Sequence, residues 1–239
     1  MEITRVFSSS PLTTGDVVRL SEEEGHHIYK VLRGRRGDRI EVVDGTGRLF
    51  IAELLGGREA NIVEERAVED DDSAVTLYQA VPKGRHMDLV VEKATELGVE
   101  RIVPLSTERG VVRLSEGKVR RWRRVAEAAA RQSLRLRVPE VGEVVHFSEA
   151  VGEAGETGVL LHNEPDLSPL EDVVLGQAVG LFVGPEGGWS GKELAMAEES
   201  GLRYASLGPY RLRSETAGMV AVARACAVLE RTRSGGGSR

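Results

Sequence analysis

The hydrophobic and polar positions of this chain follow two different patterns, one on each side of an acidic run at residues 64–73. Before that run, the apolar stretches 39–44 and 48–55 are separated by Gly45-Thr46-Gly47, which predicts a β-hairpin with a short glycine loop. This first part favours a small β-barrel-like module. The acidic run suits a linker, so the sequence predicts two domains, at residues 1–72 and 73–239.

The second domain shows strands alternating with helices, a pattern typical of an α/β domain with a parallel sheet. Between its first two predicted strands, apolar residues recur at helical spacing, at Met87, Val90, Val91, Ala94 and Leu97. The other predicted elements are helices at 22–32, 116–134, 190–201 and 214–231 and strands at 75–81, 101–105, 157–162, 179–183 and 203–207. We expect residues 232–239 to be a disordered tail.

The last predicted helix is apolar on almost every face, with alanine, valine, methionine and leucine all around it. A helix of that kind is buried on several sides, either within its own domain or at a subunit interface. We favour the interface and therefore expect a homodimer.

Charge is distributed very unevenly along the chain. The net charge is −6, yet residues 109–137 hold ten lysines and arginines against two acidic residues, and residues 30–39 are also strongly basic. This asymmetry indicates a basic face for a polyanion on an otherwise acidic protein. The alternative is a solvated arginine-rich helix whose partners lie elsewhere in the protein.

Composition excludes several other classes of protein. The single cysteine, Cys226, excludes disulfides within the chain and cysteine-rich zinc sites. The five histidines, at 26, 27, 86, 146 and 162, are too dispersed to indicate a metal site. The sequence lacks a basic-then-apolar signal at its start, and no apolar run approaches the roughly 18 residues of a membrane span. We expect a cytoplasmic protein without a metal.

Two loops carry the strongest functional signal. Residues 181–189 (LFVGPEGGW) and 207–217 (LGPYRLRSETA) each begin as a buried strand, turn through a glycine or proline loop and enter a helix. We expect the loops side by side at the carboxyl edge of the sheet, where open α/β sheets bind ligands. The first loop has neither the Rossmann nor the P-loop spacing. A cofactor whose base and ribose pack against the backbone is favoured over a phosphate cradle, although one such loop alone is often only a tight connection.

Together the two loops resemble those of the SPOUT class of S-adenosylmethionine-dependent RNA methyltransferases. They are most similar to the RsmE-type family, which methylates N3 of a uridine in 16S rRNA of the small ribosomal subunit. The resemblance continues in other segments, at His26–Arg33, Gly37-Asp38, Pro82–Gly84, Glu92–Gly98, Pro104-Leu105, Glu108-Arg109, Ala128–Ala130, Gln132-Ser133 and Arg135. The chain departs from the family pattern at Tyr210-Arg211, where Arg-Ile is usual, at Ser214, where threonine is usual, and at Leu134, where glycine is common.

The resemblance implies an N-terminal PUA-like RNA-binding β-barrel and a C-terminal SPOUT α/β trefoil-knot domain. It also implies a homodimer that binds S-adenosylmethionine in the knot and acts on the small subunit. Two alternatives are a SPOUT enzyme that methylates a ribose 2′-hydroxyl and a catalytically inactive rRNA-binding protein of the same fold. The N-terminal module and the run Ser214–Thr216 favour the base-methylating family.

The resemblance and the chemistry of uridine N3 together assign candidate site residues. Arg213 would stabilise the developing uridinate, and Glu215, or else Glu186, would accept the N3 proton. The alternative for Arg213 and Glu215 is a structural ion pair at a helix start. The predicted cofactor-binding residues are Leu161, Gly184, Glu186, Gly187, Gly188, Leu207, Gly208, Leu212 and Ser214, with Leu161–Glu164 as a weaker candidate segment. The predicted RNA-binding residues, as phosphate contacts, are Arg33, Lys83, Arg109, Arg113, Arg124 and Arg135.

Overall fold

The structure, a computed structural model, describes residues 4–8, 10–68, 74–110, 117–164 and 166–235. It divides into two compact units, Met1–Asp71 with Ala130–Val138 and Asp72–Ala129 with Pro139–Arg239. The sequence interpretation placed residues 130–138 in the second domain, whereas the structure groups them with the first. The physical reason is that Ala130 is buried in a cluster with Phe7, Val43 and Leu49.

The first unit is built on a five-stranded sheet with the order β1-β3-β4-β5-β2. Its elements are β1 (Arg5–Phe7), β2 (Val17–Arg19), α1 (Glu22–His26), β3 (Arg39–Val43), β4 (Leu49–Gly56) and β5 (Glu59–Arg66). The predicted hairpin is confirmed as the antiparallel pair β3 and β4. The predicted linker start at residue 64 is wrong, because β5 stays paired with β4 as far as Arg66, opposite Leu49. Residues 69–73 of that run lie outside the described residues.

The predicted helix at 22–32 is present, but its second half is wound more widely. Ser21 caps the start of α1: its hydroxyl accepts from the Glu24 backbone N–H at 3.2 Å, and the Glu24 carboxylate accepts from the Ser21 N–H at 2.9 Å. A π-helical turn, His27–Val31, follows directly. The capping box explains why the helix begins at Glu22, since it satisfies two otherwise unpaired donors.

A buried carboxylate fixes the hairpin loop. Asp44 accepts from the Thr46 backbone N–H at 3.1 Å, from the Leu12 N–H at 3.2 Å and from the Arg48 guanidinium at 2.7 Å. Burial works to raise the pKa of Asp44, but the hydrogen bonds from Thr46 and Leu12 and the charge of Arg48 outweigh it and hold the pKa below its usual value.

The second unit is built on a parallel sheet with the order β12-β10-β11-β6-β7-β8, and β9 also pairs with β7. The predicted α/β pattern is therefore confirmed. Its elements are β6 (Ala74–Ala80), α2 (His86–Glu96), β7 (Arg101–Ser106), α3 (Gly117–Gln132), β8 (Glu140–Val141), β9 (Val145–His146), α4 (Phe147–Ala154), β10 (Gly158–Leu161), α5 (Leu170–Val173), β11 (Ala178–Val183), α6 (Gly191–Glu199), β12 (Arg203–Ala205) and α7 (Ser214–Gly235).

An aromatic cluster packs on one face of this sheet. The ring of Tyr78 stacks on Phe182 with centroids 4.4 Å apart, and Phe147 meets Phe182 edge-on at 5.8 Å and Trp189 at 4.9 Å. All four side chains are buried. Because Phe182 is the second-last residue of β11 and Trp189 lies in the glycine loop that follows this strand, the aromatic core directly supports that loop.

Two helices of this unit end at the glycines that the sequence predicts, and the last helix is longer than predicted. Gly98 and Gly201 follow α2 and α6 with φ of +100° and +76°, a conformation that glycine adopts without strain. The last helix, α7, packs on α2, α5, β6 and β11 and runs to Gly235. The predicted disorder is therefore wrong for residues 232–235, which continue the helix, and residues 236–239 lie outside the described residues.

Candidate active site

The two loops predicted to form the site do not follow neighbouring strands. β10 lies between β11 and β12 and is parallel to both, so the loops after β11 and β12 flank the end of β10. We call residues 184–190 the first loop and residues 206–213 the second loop. The expectation that the loops meet is confirmed, because Arg211 of the second loop donates to the Glu186 carbonyl oxygen of the first at 3.4 Å. Directly after the second loop, the Ser214 hydroxyl donates to the Gly184 carbonyl oxygen at 2.6 Å.

The first loop is held by close packing and by an arginine. A Cβ on Gly184 would lie 3.1 Å from the Trp189 ring, so any other residue there would require the buried indole to shift by about a few tenths of an ångström. The Trp189 indole N–H donates to the Leu161 carbonyl oxygen at 3.1 Å. Arg109 donates to the carbonyl oxygens of Gly187 at 3.2 Å and Trp189 at 3.0 Å. The guanidinium of Arg109, predicted to contact RNA, is thus engaged in shaping this loop.

The end of the first loop is anchored by the buried side chain of Glu193. One carboxylate oxygen accepts from the Ser190 backbone N–H at 2.8 Å, completing the predicted capping box with the Ser190 hydroxyl. The other oxygen accepts from the Glu108 backbone N–H, also at 2.8 Å. A single carboxylate therefore ties the start of α6 to the segment after β7.

The second loop is held by Arg224 of α7. The guanidinium donates to the Leu207 carbonyl oxygen at 2.9 Å and pairs through two nitrogens with the Glu171 carboxylate. The hydrogen bond from Arg224 holds the pKa of Glu171 below its ordinary value of 4.5. Gly208 follows with a φ of +124°, a conformation that disfavours any side chain.

The hydroxyl of Ser214 is a junction between the loops and β6. It accepts from the Gln79 side-chain amide at 2.9 Å while donating to Gly184. Gln79 is fully buried, and a Cβ on Gly218 would lie 2.3 Å from its amide oxygen. Ser214 was predicted to bind the cofactor, but its hydroxyl hydrogen-bonds to two protein groups, the Gln79 amide and the Gly184 carbonyl oxygen.

Arg213 and Glu215 do not pair with each other. The Glu215 carboxylate is buried and lies 3.6 Å from Nδ1 of His86 at the start of α2. The Arg213 side chain is exposed, and in the part of the chain that the structure describes no carboxylate oxygen lies within 4.0 Å of its guanidinium. The geometry thus disfavours the structural ion pair between these residues. Sequence reasoning missed His86 as the partner of Glu215, since no periodicity relates two residues so far apart.

Three other residues of the loops, Glu186, Tyr210 and Arg211, are exposed to solvent. Glu186 is exposed, and its carboxylate accepts from the Lys83 backbone N–H at 3.0 Å. Arg211 donates to the Glu186 carbonyl oxygen at 3.4 Å. Tyr210, one of the departures from the family pattern, is 81% exposed.

A cavity of about 490 Å³ opens beside the second loop, beyond the carboxyl ends of β10 and β12. That volume is within the range of small-ligand sites. It is lined by Asn163, Glu164, Leu167, Pro169, Ser206, Gly208, Pro209 and Arg224. Of the nine predicted cofactor-binding residues Gly208 is in this lining, and Asn163 and Glu164 come from the weaker candidate segment. Arg224 was missed, although it is the sole charged residue between Ala217 and Leu229, a signal that could have identified it.

The remaining predicted RNA contacts are divided between the units. Arg33 is exposed in the first unit with a φ of +59°, and Lys83 and Arg124 are exposed in the second. Arg135 is half-buried beyond the end of α3, in the segment that belongs to the first unit. Arg113 lies outside the described residues.

Among the residues that the structure describes, no cluster of side chains could hold a metal ion, and no helix is long and apolar enough to cross a membrane.

Comparison with known proteins places these features in one family. The family described as "RNA methyltransferase domain" matches residues 69–226, and the one described as "RNA methyltransferase PUA domain" matches residues 20–65. A Synechocystis protein named ribosomal RNA small subunit methyltransferase E is 35% identical over 89% of this chain and 74% of its own length. The chain belongs to this methyltransferase family. A Mycobacterium tuberculosis protein of the same name is also 35% identical, over 87% of this chain and 86% of its own length.

Solved structures of similar proteins share the fold. A Neisseria gonorrhoeae ribosomal RNA small subunit methyltransferase E, bound to S-adenosyl methionine, superposes with a TM-score of 0.77 at 31% identity, covering 93% of this chain and 96% of that one. A Legionella pneumophila putative methyltransferase, also in complex with S-adenosyl methionine, gives a TM-score of 0.76 at 30% identity, with 97% and 98% covered. The predicted fold class, a PUA-like module followed by a SPOUT α/β domain, is confirmed.

Proposed function

We propose that this protein transfers a methyl group from S-adenosylmethionine to N3 of a uridine in 16S rRNA of the small ribosomal subunit. The observation that carries the proposal is the arrangement of the two loops at the carboxyl edge of a parallel sheet: Ser214 joins them at Gly184, and the second loop lines a cavity. Membership of the methyltransferase family supports it. We also propose a cytoplasmic location, because the proposed substrate is a ribosomal subunit.

The residues around the cavity fit the proposed cofactor. A Cβ on Gly208 would meet no protein atom within 4 Å, so the backbone there faces open space. Asn163, Glu164 and Ser206 offer polar groups for a ribose and an amino acid moiety, and Leu167 and the two prolines of the lining offer apolar surface for a purine. When bound, S-adenosylmethionine supplies an electrophilic methyl group on its sulfonium.

Arg213 and Glu215 would perform the proton and charge chemistry. Uridine N3 carries a proton that must leave before the nitrogen can attack, and negative charge then spreads onto the neighbouring carbonyl oxygens. The exposed Arg213 guanidinium is free to donate to those oxygens, as the donors of an oxyanion hole do. Glu215 is buried against His86, so we assign it the role of proton acceptor together with that histidine.

The substrate would be bound by basic residues of both units. Arg33, Lys83 and Arg124 are exposed and would contact phosphates, which positions an RNA without reading its sequence. We assign RNA binding to the PUA-like unit as well. We also propose a homodimer, in which α7 contributes to the interface with the surface that it does not bury against α2, α5 and the sheet.

The decisive experiment incubates the purified protein with labelled S-adenosylmethionine and small subunits that lack the modification, followed by nucleoside mass spectrometry. We expect 3-methyluridine. A 2′-O-methylated nucleoside would instead assign the protein to the ribose-methylating branch, and rRNA binding without any cofactor affinity would make it an inactive binding protein.

Two glycine variants supply the matched control. Gly208→Ala and Gly176→Ala each place a side chain at a positive φ, +124° and +79°, with no protein atom within 4 Å of the new Cβ. Both variants therefore carry a backbone cost, which is larger at Gly208 because its φ lies farther from the left-handed region that side chains adopt, and urea unfolding of both variants measures that difference. Only the first variant adds a group to the cavity lining, so we expect Gly208→Ala, and not Gly176→Ala, to lose cofactor affinity and methyl transfer.

A further inference from the structure

Tyr210 carries an aromatic ring that the protein itself does not use. It is 81% exposed, more than any other large apolar side chain in the described part of the chain. Within that part, its hydroxyl also has no hydrogen-bond partner. Folding of the unit therefore gains little from this ring.

The loop around Tyr210 is nevertheless fixed on both sides. Before it, the Leu207 carbonyl oxygen accepts from Arg224 and the Gly208 N–H donates to the Ser206 hydroxyl at 3.1 Å. After it, Arg211 donates to the carbonyl oxygen of Glu186 in the first loop. The ring is thus presented to solvent from a backbone that is held in place, which lowers the entropy lost when a ligand stacks on it.

The position of Tyr210 relates it to the reacting base. Gly208 and Pro209, immediately before it, line the cavity, and two exposed arginines, Arg211 and Arg213, follow it within three residues. N3 lies on the pairing edge of uracil, so an enzyme reaches it only in a base that is unpaired and turned out of its stack. An aromatic face replaces the stacking that such a base loses, and neighbouring arginines attract its phosphates.

We propose that Tyr210 is a stacking platform for an unpaired base of the RNA substrate at the methylation site. The inference rests on the proposed function and deepens it, because it names a substrate contact at a position where this chain departs from the arginine of the family pattern. In this proposal the aromatic ring of Tyr210 stacks on the base, and its hydroxyl is not required for RNA binding.

The test compares Tyr210→Phe, Tyr210→Ala and Tyr210→Leu in the full-length protein. Phenylalanine keeps the π face, leucine keeps apolar bulk without it, and alanine removes both. Base stacking on an aromatic residue is typically lost on truncation with roughly a 10-fold weakening. We therefore expect kcat/KM for RNA to fall about 10-fold in the alanine and leucine variants and to stay within about twofold of wild type in the phenylalanine variant. Affinity for S-adenosylmethionine should not change in any of them.

Several outcomes would overturn the proposal. Wild-type kcat/KM in Tyr210→Ala would show that the ring makes no contact with substrate, and wild-type values in Tyr210→Leu would show that stacking is not needed. A changed oligomeric state in Tyr210→Ala, measured by light scattering, would assign the ring to an interface between copies. Binding of the variants to a uridine-containing 16S fragment, measured by fluorescence anisotropy, tests the contact even if wild-type protein transfers no methyl group. Absence of methyl transfer by the wild-type protein would refute the proposed function, and the binding measurement would still decide whether Tyr210 contacts the RNA.

Discussion

The hydroxyl of Ser214 donates to the carbonyl oxygen of Gly184 at 2.6 Å and joins the two loops on either side of β10. The same hydroxyl accepts from the buried Gln79 amide at 2.9 Å. One small polar group therefore connects the start of α7, the first loop and the end of β6. Such a three-way junction fixes the relative position of the loops more firmly than either loop could alone.

Replacing Ser214 by alanine should loosen this junction. The variant removes one of the two acceptors of the buried Gln79 amide nitrogen, and the Ala80 carbonyl oxygen at 3.0 Å remains as the other. A buried N–H left without an acceptor typically costs about 1–3 kcal/mol. We expect a lower free energy of unfolding in urea titrations and weaker binding of S-adenosylmethionine in calorimetry. Ser214→Thr, which restores the residue usual in the family, keeps the hydroxyl and should retain both. If Ser214→Ala matched wild type in both measurements, the hydroxyl would not position the loops.

Arg213 should affect turnover more than cofactor binding. Its guanidinium is exposed beside the proposed site and is not used in an ion pair with Glu215, which faces His86 instead. Removing one charge-stabilising donor from an active site typically lowers kcat roughly 100-fold or more. We expect a fall of that size in Arg213→Gln, a smaller one in Arg213→Lys, and little change in affinity for S-adenosylmethionine. Equal losses of turnover and cofactor affinity would contradict the catalytic role.

Two adjacent arginines of α3 distinguish a phosphate contact from a structural contact. Arg123 donates to the Val141 carbonyl oxygen at 2.9 Å and pairs with Glu143 at 2.8 Å, whereas Arg124 is exposed and the described residues give it no such partner. Arg124→Gln should weaken RNA binding and reduce the slope of log affinity against log salt concentration by about 1. Arg123→Gln should leave that slope unchanged. Identical slopes for both variants and wild type would remove Arg124 from the RNA contacts.

Local features of this fold could be predicted from the sequence, and its long-range order could not. The capping box of Ser190 and Glu193 and the glycine that follows α6 at Gly201 depend on neighbours along the chain, and both are present. By contrast, nothing in hydrophobic periodicity places β10 between β11 and β12, because strand order depends on how the connections cross the sheet.

The same limit applies to the candidate site. The two loops are recognisable because their glycines and prolines are local signals. The pairing of His86 with Glu215, and that of Arg224 with Glu171, join residues that are distant in sequence. Such pairs follow from the packing of α7 against α2 and α5, which single-sequence patterns do not encode.

The pair formed by Glu171 and Arg224 should make stability depend on acid pH. The hydrogen bond from Arg224 lowers the pKa of Glu171 in the folded state below its ordinary value of 4.5. A carboxylate whose folded pKa is lowered stabilises the protein above its unfolded pKa, and this contribution is lost as the pH falls through the folded pKa. We expect Glu171→Gln to cost about 1 kcal/mol near neutral pH and progressively less below 4.5. Urea unfolding of both proteins across that range measures the difference. A constant difference at all pH values would exclude this charge as its cause.

Leu134 should be a site where substitution stabilises the protein. It follows α3 with a φ of +59°, and the Arg135 backbone N–H donates back to the Ala130 carbonyl oxygen at 3.0 Å, as in a Schellman cap. The left-handed conformation costs a side-chain-bearing residue about 1–2 kcal/mol, which explains why glycine is common here in the family. The Leu134 side chain is 51% exposed, so little packing is lost on its removal. We expect Leu134→Gly to gain about 0.5–1 kcal/mol after the extra entropy of glycine in the unfolded chain is subtracted. Leu134→Ala is the control, because it removes the side chain but keeps the strain, and it should not stabilise. A gain of equal size in both variants, measured by urea unfolding, would attribute the effect to the exposed leucine side chain and not to the backbone.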